Sequence, residues 1–251
     1  MQSLIVFAAL ALLASPPVLA ADAPAHIAAA VAAPERSDKD RERDGRDRPA
    51  EVMAFAGVTP GMAIADVFGG GGYWTELLAR AVGAEGKVTL VNNAPYLEFS
   101  REDLKTRFAD DRLPGVTRRT IETCDLKLAK ANFDLILIVM SYHDLYYVDE
   151  AGGWPAIDAG GFLDQLHAAL KPGGSLLIID HAAAAGAGNS GAGEIHRIEE
   201  AFAKRDIESH GFRLEKTWDG YRNPADDLSK LVFDPAVRGK TDRFTHLYRR
   251  R

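Results

Sequence analysis

The stretch Asp66-Val67-Phe68-Gly69-Gly70-Gly71-Gly72-Tyr73 decides how this chain is read. Before it, residues 62–67 form a short apolar run; after it, residues 73–82 carry apolar side chains at helical spacing. Strand, glycine-rich turn and helix in that order let the backbone approach a bound nucleotide or nucleoside closely. The start of the helix then offers unpaired N–H groups. A glycine run alone says little, and this strand-turn-helix setting gives it weight.

Outward from the loop the same alternation continues. Residues 87–91, 116–121, 133–140 and 175–180 read as strands, and 97–108 and 157–170 as helices. Residues 133–140 are the most apolar of these and suit a strand covered on both faces. Repeated βα units of this kind build a mostly parallel sheet. A last helix over residues 194–210 precedes 212–218 and 244–248, which read as a closing strand pair. No internal repeat interrupts the pattern.

With 47% hydrophobic and 26% charged side chains over 251 residues, the composition excludes collagen-like, disordered and many-pass membrane classes. A chain of this size buries about 70–75% of the surface its unfolded form exposes, so it needs no covalent staples. Cys124 is the only cysteine, and no disulfide can form within the chain. The 30 Lys and Arg against 36 Asp and Glu leave a net charge of -6, the wrong sign for neutralising phosphates, so no nucleic-acid partner is expected.

Residues 4–14 are an uninterrupted apolar run too short to span a bilayer, followed by Ser15-Pro16-Pro17 and Val18-Leu19-Ala20. The pattern predicts a signal peptide over residues 1–20, cleaved after Ala20 or Ala21, although its first residues bring no Lys or Arg. The mature chain is expected to be exported and periplasmic, without a membrane span. Residues 21–48 read as an N-terminal linker or arm. Within it residues 21–33 are Ala-rich, and residues 35–51 interleave six basic with seven acidic side chains, which reads as a solvated, partly helical run. Pro49 suits the first turn of a helix that carries Val52, Met53 and Phe55 inward and ends at Gly57 and Pro60-Gly61. The folded domain is expected over residues 49–251.

At the glycine loop the sequence resembles the class I S-adenosylmethionine-dependent methyltransferases, within them the exported group with a Gly-Gly-Gly-Tyr first loop. Asp66, Gly70 and Gly72 fall on the family's acidic residue and later loop glycines, with Gly69 between them and Phe68 in place of the usual first glycine. Leu170-Lys171-Pro172-Gly173-Gly174, leading into Ser175-Leu176-Leu177-Ile178-Ile179-Asp180, matches the family's turn before the fifth strand and is the most specific string. The resemblance covers residues 49–248. It implies a Rossmann-like three-layer αβα sandwich with a mostly parallel seven-stranded sheet, S-adenosylmethionine as cofactor, and methyl transfer to a small-molecule acceptor.

The resemblance also assigns cofactor contacts. Asp66, Gly69, Gly70 and Gly72 border the cofactor, and Ser141 lies beside it after the fourth strand. Asn92 ends the second strand, where the family places an Asp or Glu that accepts both ribose hydroxyls. A neutral amide there is weaker by about 1–2 kcal/mol. Counting back from Phe133-Asp134, Glu122 matches the acidic residue that contacts the adenine amine, with Asp125 the neighbouring alternative.

Candidate chemistry follows the fourth strand, in Ser141-Tyr142-His143-Asp144-Leu145-Tyr146-Tyr147, because ligands of doubly wound sheets lie beyond the carboxyl ends of the strands. An ordinary histidine pKa near 6.5 makes His143 the candidate base, with Asp144 to orient it and Tyr142 beside it. The plainer alternative is a satisfied histidine packed among tyrosines. His143, His181 and His196 could converge on a metal, but no His-x-x-x-His or Cys pair supports this and no metal is expected. Residues 182–193 read as a lid or a linker, and Trp74, Trp154 and Trp218 as packing residues, with the edge of a substrate mouth as the alternative for Trp154. The rival function is an exported ligand- or metal-binding protein that keeps the fold without the transfer reaction.

Overall fold

The computed structural model describes residues 23–121 and 125–251. The expected signal peptide over residues 1–20 lies outside them, as do Glu122 and Cys124. At the centre, β1 (Ala63–Val67) runs parallel to β2 (Lys87–Asn92) on one side and to β4 (Phe133–Val139) on the other, with Asp66 opposite Leu90 and Leu137. Adding β3 (Val116–Thr120), β5 (Leu170–His181), β6 (Phe212–Thr217) and β7 (Arg243–Arg250) gives a seven-stranded sheet in the order β3-β2-β1-β4-β5-β7-β6. Of these seven strands, β7 runs against the direction of the other six. This is the fold and strand order of the class I methyltransferases.

The apolar run of β4 is buried on both faces. Leu135 and Leu137 pack with Leu77, Leu78 and Met53, while Ile136 and Ile138 pack with Phe162 and Leu166. The side-chain period of two sends successive residues to opposite layers, so a continuous apolar run serves two cores at once. One layer holds α3 (Pro49–Ala56) and α4 (Tyr73–Val82); the other holds α7 (Ala159–Ala169) and α8 (Glu200–Ser209).

Several elements differ from the sequence reading for local reasons. Residues 97–108 form two helices, α5 (Ala94–Phe99) and α6 (Arg101–Arg107), that break at Ser100. Helix α5 starts early because Asn93 Oδ1 accepts from Tyr96 N–H and Pro95 occupies the first turn. Beyond the turn string, β5 holds its register only by bulging: Phe133 pairs with Leu170 and Leu135 with Ser175. Lys171 Nζ donates to both Asp134 carboxylate oxygens at 2.8 Å, and Asp134 also accepts from Ala63 N–H, tying β1, β4 and β5 together.

Residues 21–48 are not a solvated arm in the described part. They hold α1 (Ala25–Ala32) and α2 (Asp38–Asp47), and α1 packs against α4 with Ile27 fully buried. Arg36, Asp40 and Asp47 are buried and paired, while Asp38, Lys39 and Glu42 stay exposed. Arg107 Nη1 donates to Asp40 at 2.7 Å and to Glu76, while its Nε donates to the Gly71 carbonyl at 2.6 Å. Asp44 accepts from Arg36 and from the Tyr73 hydroxyl. Alternating charge along a helix says nothing about partners far away in sequence, and the solvated reading fails for that reason.

Candidate active site

The strand order reverses between β1 and β4, and at their carboxyl ends lies a cavity of about 550 Å³. The glycine loop forms its floor. Val139, Met140, His143 and Asp144 form one side, and Tyr147, Trp154, His196 and Phe233 give it an aromatic wall. Arg43, Arg46, Arg238 and Arg243 line it as well, with Arg243 against Met140. The Asp47 carboxylate pairs with Arg43, Arg46 and Arg243 together.

In the glycine loop, Gly70 and Gly72 adopt φ of +55° and +79°, the left-handed region that L side chains avoid. Phe68, in place of the family's first glycine, is left-handed as well at φ +55°. Such a conformation costs a non-glycine residue about 1–2 kcal/mol. The ring is held between Tyr96 and Phe162, with centroids 5.0 and 5.5 Å away, and this buried stack offsets the strain. Met140 and His196, also on the cavity, share the left-handed backbone. Asp66 is buried at the cavity edge. Its Oδ2 accepts from the Thr75 hydroxyl at 2.6 Å, while Oδ1 has no hydrogen-bond partner among the described residues. Burial lifts the Asp66 carboxyl to about 6, against the pull of Thr75, Arg43 and Arg107.

The Asn92 amide is bonded to the glycine loop. Its Oδ1 accepts from Gly70 N–H at 3.0 Å and its Nδ2 donates to the Gly70 carbonyl at 2.9 Å. The side chain therefore clamps the glycine loop to β2, a task that needs both a donor and an acceptor. An Asp at this position would set a buried carboxylate against a carbonyl oxygen. Asn92→Asp is expected to destabilise the protein by about 1–3 kcal/mol without tightening any nucleoside ligand, as read by thermal unfolding and calorimetry. Tighter binding at unchanged stability would return Asn92 to the ligand site.

His143 opens a 3-10 turn, His143–Tyr146, and its partner is Asp180 at the end of β5. The ring Nδ1–H donates to Asp180 Oδ1 at 2.8 Å and the backbone N–H to Oδ2 at 2.7 Å; His181 N–H also donates to Oδ1. A carboxylate only accepts, so Nδ1 carries the proton and Nε2 faces the other way. There it lies 3.3 Å from Asp144 Oδ1 and 3.2 Å from His196 Nδ1. The second Asp144 oxygen accepts from the Tyr96 hydroxyl at 2.5 Å. Burial opposes a charge on His143, but Asp180 and then Asp144 outweigh it and lift the ring to about 9. At neutral pH the ring is thus protonated, and it does not start as the free base that an ordinary histidine pKa suggests.

The other sequence candidates scatter. Tyr142 is fully buried away from the cavity, and its hydroxyl donates to Asp206 together with that of Tyr146. Ser141 is buried beside the Tyr96 hydroxyl. Asp125 is exposed and accepts from Lys127 N–H, and it is not part of the cavity lining. Glu122 lies outside the described residues. His181 and His196 do reach the cavity. His181 is bonded to Thr241 at 2.7 Å and burial drives its pKa well below the usual value, whereas His196 stacks on Tyr147. Residues 182–193 are pinned rather than free, since Glu199 accepts from Gly186 and Gly188 N–H.

Sequence reasoning missed Asp180, Tyr96 and the arginines. Asp180 carried one usable signal, an acidic residue ending a buried strand. The arginines carried none, because they come from α2, from the approach to β7 and from the first residue of β7.

No protein-family profile matches the chain. Over 131 residues it is 32% identical to the ubiquinone/menaquinone biosynthesis C-methyltransferase UbiE of Methylococcus capsulatus, a match that takes in 51% of this chain and 47% of that one. The chain spans about half the length of the curated relatives it matches. A solved SAM-dependent methyltransferase from Aquifex aeolicus superposes with a TM-score of 0.57 at 20% identity, covering 85% of this chain and 99% of that chain. An arsenic(III) S-adenosylmethionine methyltransferase from Chlamydomonas reinhardtii gives 0.56 at 18% identity, covering 90% and 73%.

Proposed function

We propose that this chain, alike in fold to class I methyltransferases and in half its sequence to a C-methyltransferase of quinone biosynthesis, is an S-adenosylmethionine-dependent methyltransferase acting on a small-molecule acceptor. The observation that carries this is the cavity at the switch point, floored by the glycine loop and bordered by a buried carboxylate, one oxygen of which has no hydrogen-bond partner among the described residues. These residues fit the amino-acid end of the cofactor. Asp66 Oδ1 suits an ammonium group, the arginines suit a carboxylate, and the bare backbone of residues 69–71 admits close approach. The ribose clamp of the family has no counterpart in Asn92, which is committed to Gly70.

When bound, S-adenosylmethionine supplies a methyl group already made electrophilic by its sulfonium. The chain's own part is to hold, align and shield. Asp66 and the arginines anchor charged groups, and the aromatic wall of Tyr147, Trp154 and Phe233 keeps water from the reacting space. Two buried carboxylates fix the orientation of His143 toward the same space.

Calorimetric titration with S-adenosylmethionine and S-adenosylhomocysteine tests the proposal. Wild-type protein is expected to bind both. Gly70→Val places a branched side chain in left-handed backbone, its Cβ 3.2 Å from Ser100 Oγ, and is expected to lose binding by tenfold or more while staying folded. A folded wild type that binds neither compound would favour a second reading, a ligand- or metal-binding protein that keeps the fold. The closed Asn92 clamp is the observation on that side.

We also propose that the protein is exported to the periplasm, on the support of the apolar run at residues 4–14 and the small residues before Ala21. The intact mass of native protein is expected to begin at Ala21. An uncleaved Met1 end in the cytosolic fraction would refute export.

A further inference from the structure

We propose that His143 Nε2, Asp144 Oδ1 and His196 Nδ1 form a binding site for one divalent transition-metal ion of the zinc class, with its open coordination position on the cavity. The three atoms lie 3.2, 3.3 and 3.8 Å from one another. A tetrahedral ion with bonds of about 2.0–2.1 Å holds its ligands about 3.3–3.4 Å apart, so the observed triangle is close to one face of such a tetrahedron. No large rearrangement is needed to seat an ion above it.

The surroundings support each ligand. His143 gives its other ring N–H to Asp180, the carboxylate–histidine pairing that fixes a ligating tautomer and turns Nε2 toward the metal. Asp144 commits Oδ2 to the Tyr96 hydroxyl and leaves Oδ1 facing the two imidazoles. His196 is held by its stack on Tyr147 and by a left-handed backbone that aims the ring at His143. Two buried carboxylates around one imidazole favour a positive centre at Nε2, which a proton fills in the metal-free protein and which the ion takes over by displacing that proton. A donor set of two imidazoles and one carboxylate, without thiolate, suits zinc or a neighbouring first-row ion over calcium or magnesium. All three residues line the cavity, so the remaining coordination opens into it.

The site was not visible as a motif because its ligands are 53 positions apart in sequence and one pair is directly adjacent. It goes beyond the methyl-transfer reading and does not depend on it. Full-length untagged protein, freed of metal by a chelator, is to be titrated with zinc by calorimetry and with cobalt(II) by visible absorption. One ion per chain at micromolar affinity or tighter is expected, with the intense bands of four-coordinate cobalt. His196 is partly exposed, and His196→Ala is expected to weaken zinc at least about 100-fold with the thermal midpoint of the metal-free protein little changed; Asp180→Asn, acting through His143, weakens it about 10–100-fold. Wild type without stoichiometric zinc, a six-coordinate cobalt spectrum, or His196→Ala binding zinc as wild type does would each overturn the site. Titrating S-adenosylmethionine into the same samples separates the two readings: metal without cofactor binding keeps this site and removes methyl transfer, and the reverse removes only this site.

Discussion

Asp180→Ala lowers the stability of the metal-free protein by about 3–5 kcal/mol and disorders the approach to His143. The wild-type carboxylate is fully buried and accepts from His143 N–H, the His143 ring and His181 N–H. Alanine leaves three donors unsatisfied and an imidazole that has lost its principal counter-charge, which places the change among the large penalties for breaking a buried polar network. The expected loss is read from denaturant unfolding at neutral pH. Asp180→Asn retains one acceptor oxygen and should fall between the two proteins. A loss under about 1 kcal/mol for Asp180→Ala would mean that water replaces the carboxylate, and that the His143 orientation is set elsewhere.

An effect of similar size is expected far from the cavity floor. Arg197 follows His196 directly and is fully buried; its guanidinium donates to both Asp226 carboxylate oxygens, at 2.8 and 3.1 Å, and to the carbonyls of Ala182 and Lys230. Asp226 additionally accepts from Asp242 N–H. Asp226→Ala strands a buried cation, which costs about 3–5 kcal/mol. For a chain of this length each kcal/mol moves the thermal midpoint by about 2–4 °C, so a fall of several degrees or more is expected. The mutation also frees the segment that carries His196 and the wall residues Val232 and Phe233, so ligand binding in the cavity should weaken in parallel. Lost stability with unchanged cavity binding would show that His196 is positioned by its aromatic stack alone.

The sequence by itself determined the layered architecture. Apolar runs such as 135–140 have no polar residue for solvent, and helices of period 3.6 between them leave only a sheet covered on both faces. The glycine loop was legible for a related reason, since four consecutive glycines between a strand and a helix state a backbone requirement that is local. Candidate His143 could be placed at the right strand end by the same topology. What each side chain touches was decided by the tertiary structure alone. Asn92 looks like a weakened ribose ligand until Gly70 is seen against it, and the charged run at residues 35–51 looks solvated until Arg107 and Tyr73 arrive from elsewhere. His143 changes from a neutral base to a held cation because Asp180, 37 positions away, ends the adjacent strand. Propensity and periodicity are properties of neighbouring residues, whereas counter-charges, hydrogen-bond partners and the meeting of His143 with His196 depend on distances that only the folded chain creates.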